Sequence, residues 1–340
     1  MLIGRQGISV RIASSPLLVA MLSLGCGLAT AAEPPPLRDA IPRGLARLEK
    51  AAADYPTHRD CFACHHQTLP LFAAVEVRRA GLLDSLEGWQ PSLAFTAKTF
   101  DKRREGLAEG QHVGGRAATV SYGLWTYQLG EVPADDTTAA MVEYLLRQQR
   151  DDGSWKPPSN RPPLEKSAVS CTVLSAYGIQ IYATEGQQEK AKAALARARG
   201  WVRNAPLEEH EDVAFALWGE TLFAETPTAR MSALVQELQA RQRDDGGWGQ
   251  LPDLGSDAYS TGQAVWVLLE SPAPVSVDVI ERGVTWLRQH QETDGSWHVV
   301  TRSVPIQEWF DNGDPHGKDQ FISTTGTGWA VAALARWMRE

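Results

Sequence analysis

The sequence predicts an all-α protein: six helical hairpins, each an outer helix followed by an inner one, closed into a single (α/α)6 toroid. Three observations carry this. A pattern Gln-x-x-x-Gly-x-Trp occurs three times, as Gln149, Gly153 and Trp155, as Gln242, Gly246 and Trp248, and as Gln291, Gly295 and Trp297. Each copy follows a segment with apolar residues at i, i+3, i+4 and i+7, and precedes one that is apolar nearly all round. The three Trp lie 93 and 49 positions apart, so a degenerate copy fits between the first two at a period of about 50 residues.

In chain order, outer helices are expected at 40–55, 91–107, 137–149, 191–204, 230–242 and 277–291. Inner helices are expected to begin near residues 65, 115, 166, 210, 257 and 320. Asp-Gly ends the outer helix before three of the loops, since Gly adopts the left-handed backbone that stops a helix. A closed ring leaves no open end that would need a polar capping repeat. No long linker divides residues 38–340, so they are read as one domain.

The chain has 340 residues, 43% hydrophobic and 22% charged, an ordinary balance for a soluble protein with a sizeable core. A net charge of -8 with no basic stripe speaks against a nucleic-acid partner. Residues 1–31 read as an export signal: Arg5 and Arg11 precede an apolar run, and Ala29-Thr30-Ala31 fits a cleavage site. A Pro-rich linker, 32–37, follows. The run is too short for a comfortable membrane span, so no transmembrane segment is expected after cleavage. A periplasmic location is expected, the alternative being a lipid anchor through Cys26.

Repeats of this kind on outer-inner helix pairs resemble the terpenoid cyclase and protein prenyltransferase superfamily of α/α-toroids, over nearly all of residues 38–340. The resemblance implies that the loop Gln and Trp residues tie helix ends together. Residues 161–165 and 315–323 are also similar to a group of exported bacterial toroid proteins that carry a Cys-x-x-Cys-His-His segment. Squalene-type cyclases use an Asp-x-Asp-Asp acid. The nearest string here, residues 134–138, lacks the first Asp and reads as a helix cap. Prenyltransferases bind zinc through Asp-x-Cys and a later His. Asp257 survives at the matching place, but the Cys and His do not, so zinc is not expected. The fold is expected without either family chemistry, and whether the protein is an enzyme stays open.

The chemistry-bearing string is Cys61-x-x-Cys64-His65, where the first hairpin should carry its repeat loop. Two such thiols form thioethers to haem, and the adjacent His becomes the proximal iron ligand. Export favours this, since such haem is attached outside the bacterial cytoplasm. A redox dithiol and a metal site are the rivals. If haem c is bound, Cys61, Cys64 and His65 hold it, and either His112 or His316 is the distal ligand or the distal site is open. All inner helices start on one face, so His66, Glu165, Asp257, Tyr259, His316, Asp319 and Gln320 should ring one mouth. The long connection 298–320 should serve or cover that mouth. Cys171 and the Met residues read as core. The expected role is redox or electron transfer with a partner protein. The alternative is a cyclase-like or prenyltransferase-like enzyme, or a binding module, that holds a small apolar ligand in the ring without haem.

Overall fold

The computed structural model describes residues 35–111, 113–224, 226–304 and 310–340. The expected signal, residues 32–34 of the linker, and His112 lie outside the described residues. Those described form α1 (Leu37–His58), α2 (Leu69–Arg79), α3 (Gln90–Asp101), α4 (Arg104–Ala108), α5 (Arg116–Leu129), α6 (Asp136–Gln148) and α7 (Ala168–Tyr182). They continue as α8 (Gln188–Asn204), α9 (His210–Phe223), α10 (Ala229–Ala240), α11 (Ala258–Glu270), α12 (Val277–Gln289) and α13 (Gln320–Trp337). Among them no strand forms, and no helix is long and apolar enough to cross a membrane.

The six expected hairpins are present. The outer helices are α1, α3, α6, α8, α10 and α12, and each inner helix starts within a few residues of its expected place. One outer helix differs. The continuous helix expected over 91–107 breaks after Asp101 and restarts as α4. Its apolar periodicity lapses at Lys102-Arg103-Arg104, and the restart buries Leu107.

Inner helices pack in sequence, α2 on α5, then α7, α9, α11 and α13, and α13 packs back on α2. The ring is therefore closed. At Gly262 of α11 the neighbouring backbone of α13 leaves no room for a side chain: a Cβ there would lie 2.6 Å from Ala330 N.

The three repeat loops share one geometry. Gln149 Nε2 donates to its own loop at Gly153 O (3.0 Å) and to the next outer helix at Ala194 O (2.9 Å). Gln242 does the same to Gly246 O and Val279 O, and Gln291 to Gly295 O (3.1 Å) and Ala40 O (2.8 Å). Each loop Trp is fully buried, and its indole N–H donates to a carbonyl of the preceding outer helix: Leu145, Leu238 or Leu287. Each loop Gly has φ near +90° and lies against the next outer helix, so only Gly fits. The third loop joins α12 to α1 and so closes the outer wall.

The ring axis is filled. Phe72, Trp125, Trp218, Trp266 and Trp329 come from the middle turns of α2, α5, α9, α11 and α13. Phe72 lies 5.2 Å from Trp125, 5.0 Å from Trp266 and 5.1 Å from Trp329, between ring centroids. Trp125 and Trp218 lie 5.1 Å apart. Two of these pairs, Phe72 with Trp266 and Trp125 with Trp218, span helices that are not ring neighbours, so the aromatic side chains meet across the lumen.

Trp297→Ala should cost about 3–5 kcal/mol in urea denaturation, as for a large buried aromatic truncated in a core. A loss under about 1 kcal/mol would mean that the closing loop does not hold the ring.

Candidate functional site

The first hairpin lacks a repeat loop. After α1 the chain runs extended to Ala63, then makes one π-helical turn, Cys64–Thr68, before α2 begins at Leu69 with Pro70 in its first turn. Gln67 fixes this turn, because its Oε1 accepts from Ala63 N at 2.8 Å. Thr68 Oγ1 pairs with Thr126 Oγ1 at 2.8 Å, tying the turn to α5.

Cys61 is exposed, Cys64 is partly buried, and both are free thiols. The Cys61 sulfur lies 4.0 Å from the Tyr55 hydroxyl. Burial pushes the Cys64 thiol up to about 12. A thiolate zinc ligand or an exchange-active dithiol needs the opposite shift. Among the described residues no group of three or more His, Cys, Asp or Glu gathers as a metal cage. Cys171 is buried and its thiol is likewise raised by burial.

His65 packs on Phe321 (4.7 Å) and meets the Tyr55 ring edge-on (5.7 Å). His66 stacks on Tyr55 at 4.7 Å and is fully buried. The two rings are hydrogen-bonded through their Nδ1 atoms. Burial holds both imidazoles below the ordinary histidine range. His66 Nε2 then reaches Asp314 Oδ2 at 2.7 Å, with the Asn312 amide at 2.7 Å from the same nitrogen. Asp314 also takes Arg47 from α1 (3.1 Å) and the Thr324 hydroxyl (3.1 Å). Burial alone would raise its pKa, but the bond from His66, with Thr324 and Arg47, outweighs it and holds the carboxyl below the ordinary range.

The described residues of the connection 298–320 contact the starts of other hairpins. Arg302 pairs with Glu209 (2.5 Å), Ser303 donates to Pro162 O (2.8 Å), and Arg59 covers the Phe310 ring at 3.6 Å. Several residues expected at the rim have structural duties instead. Asp319 accepts from His298 (3.0 Å) and Thr301 N (3.0 Å), and buried Gln320 donates to Phe310 O (2.7 Å). Asp257 caps α11 through Ser260 N (2.8 Å), and Glu165 pairs with Arg161. His316 bonds Ser296 Oγ at 2.8 Å and stacks on His298 at 4.6 Å, away from the partners of His65. Asp135 makes the expected cap, accepting from Thr138 N at 2.8 Å.

Tyr259 lies below the rim, not on it. Its hydroxyl donates to Glu211 Oε2 (2.7 Å), as does Gln263 Nε2 (2.9 Å), between the mouth and the aromatic plug. Glu211 Oε1 and Gln263 Oε1 are buried with no hydrogen-bond partner among the described residues. Burial raises the Glu211 carboxyl to about 7 against the hydrogen bonds from Gln263 and Tyr259. The repeat pattern gave no sign of Glu211, Asp314 or Asn312. Asp314 is 248 positions from His66, and only its place in an unusually long connection singled it out.

No family model matches the chain. A squalene--hopene cyclase from Zymomonas mobilis is 25% identical over 181 residues, 50% of this chain and 20% of that protein. A drimenyl diphosphate synthase from Streptomyces showdoensis is 29% identical over 182 residues, 50% of this chain and 33% of that protein. The matches thus span a third or less of these relatives. The type II terpene cyclase MstE from Scytonema superposes with a TM-score of 0.56 at 14% identity, over 88% of this chain and 97% of that one. The fold is the terpene cyclase-like α/α-toroid.

Glu211 gives a pH test. Its ordinary value is 4.5 and its folded value about 7, so the unfolded chain releases the proton first. Stability from this group is present below pH 4.5 and falls as pH rises to 7, on the order of 3 kcal/mol. Glu211→Gln should lose that slope. An equal slope in wild type and variant, by urea denaturation from pH 4.5 to 7.5, would show that the carboxyl is not held protonated.

Proposed function

We propose that the turn of the first hairpin is a covalent c-type haem site in an exported, periplasmic protein with a redox or electron-transfer role. Cys61 and Cys64 would form the thioethers and His65 would be the proximal ligand. The observation that carries this is His65. It lies on one turn with two free thiols, its Nδ1 is engaged by His66, and its Nε2 makes no hydrogen bond to a described residue. An axial histidine needs one nitrogen oriented by a second residue and the other left for the metal. Haem would supply one-electron chemistry at its iron. The neutral Cys64 thiol supports this over a thiolate site, and the filled lumen leaves the mouth as the place for chemistry.

The comparisons favour a second reading, a cyclase-like enzyme or apolar-ligand module without haem. Its specific support is the match to a squalene--hopene cyclase and a drimenyl diphosphate synthase, together with the Glu211 carboxyl above the plug, which burial raises to about 7. The plug and the missing Asp-x-Asp-Asp acid weigh against it, because an isoprenoid in the lumen would have to displace five packed rings.

Co-expression with haem-attachment machinery should give a protein whose haem survives acid denaturation and shows a pyridine haemochrome spectrum. Cys61→Ala with Cys64→Ala should abolish the covalent haem, and His65→Ala should change its ligation spectrum. A colourless wild-type protein from that host would sink the haem reading. Turnover of an isoprenoid diphosphate, lost in Glu211→Gln, would establish the second.

A further inference from the structure

We infer that Asp314 is a positioning residue that decides which nitrogen of His65 carries its ring proton, placing it on Nδ1 and leaving Nε2 bare for a ligand. The inference deepens the haem reading and rests on it for its purpose, while the proton assignment stands on donor counting with both imidazoles neutral.

The count starts at Asp314. Its carboxylate lies beside the Arg47 guanidinium and takes the Thr324 hydroxyl, so it acts only as an acceptor. At 2.7 Å, His66 Nε2 must therefore supply the proton of that bond. A neutral imidazole carries one proton, so His66 Nδ1 is bare and can only accept. Its partner is His65 Nδ1, which must donate. That uses the single proton of His65 and leaves Nε2 as a lone pair. Asn312 is consistent with this only if its amide turns oxygen, not nitrogen, toward His66 Nε2, which gives up the 3.4 Å bond that its Oδ1 takes from Asp314 N. Such amide orientations are assigned from the network around them.

The chain of bonds joins the last hairpin to the first. Asp314 sits in the connection before α13, His66 and His65 in the turn before α2, and Arg47 on α1. Tyr55 and Phe321 pack on both rings and hold them in place without contributing a proton to the count.

Replacing the acceptor by a donor should reverse the whole sequence. In Asp314→Asn the new amide can donate to His66 Nε2. That nitrogen is then bare, the His66 proton moves to Nδ1, and His65 Nδ1 becomes the acceptor. The proton of His65 is forced onto Nε2.

The test is a long-range 1H–15N correlation spectrum of the full chain, labelled at histidine, made without haem-attachment machinery, and recorded at pH 8. His65 is assigned by its loss in His65→Gln. The expected result is a protonated Nδ1 and a pyridine-type Nε2 on His65, reversed in Asp314→Asn and unchanged in Thr324→Val, which trims the same cluster without altering its charge. A proton on Nε2 of wild-type His65, or no reversal in Asp314→Asn, overturns the inference. A reversal in Thr324→Val as well would also overturn it, since packing rather than the acceptor would then decide. The outcome is separable from that of haem attachment. A colourless protein with the expected tautomers fails only the haem reading, and a haem protein with the opposite tautomer fails only this assignment.

Discussion

The ring depends on one amide that bridges two backbones. In each repeat loop a Gln side chain bonds its own loop and the next outer helix, while the loop Trp anchors to the preceding one. Two of these bridges join neighbours along the chain, α6 to α8 and α10 to α12. The third, from Gln291 to Ala40 O, joins the last outer helix to the first. Packing of α13 on α2 closes the inner ring, and this splice closes the wall of outer helices around it.

Closure brings the inner helices close enough to fill their own axis. The five aromatic rings there bury large apolar surfaces and meet edge to face or tilted, as such rings prefer. The terpene cyclase-like fold is thus kept while its lumen is packed with side chains. Fold and function are separable in this way, because chemistry depends on a site and not on the architecture around it. The polar groups lie above the plug, in a layer around Glu211 and in the cluster around His65 and His66.

The architecture was legible because it is local and periodic. Gln, Gly and Trp recur at fixed offsets, and each member meets the same partners in all three loops. The start of each inner helix followed from the same phase. The broken outer helix at Lys102 was less legible, since a run of charges can lie on a helix face as easily as it can end one. The site was legible only in part. Cys61, Cys64 and His65 are adjacent in sequence, so a spacing reveals them. Asp314 and Glu211 act through partners far along the chain, and no spacing encodes such a meeting. Tyr259 and Gln320 were expected at the rim from their helix starts; Tyr259 bonds inward to Glu211, and Gln320 is buried beneath the connection, bonding it at Phe310 O.

The connection that carries Asp314 and the residue Phe321 belong to the last hairpin, yet they finish the surroundings of a turn in the first. A chain synthesised from its N-terminus exposes Cys61, Cys64 and His65 long before those residues exist. Until α13 docks on α2, the His65 ring lacks the Phe321 ring packed on it and His66 lacks Asp314. Access to this imidazole is therefore a matter of timing as much as of shape: the final hairpin acts as a clock, and its arrival ends the interval in which the ring stands uncovered, while Cys61 stays exposed.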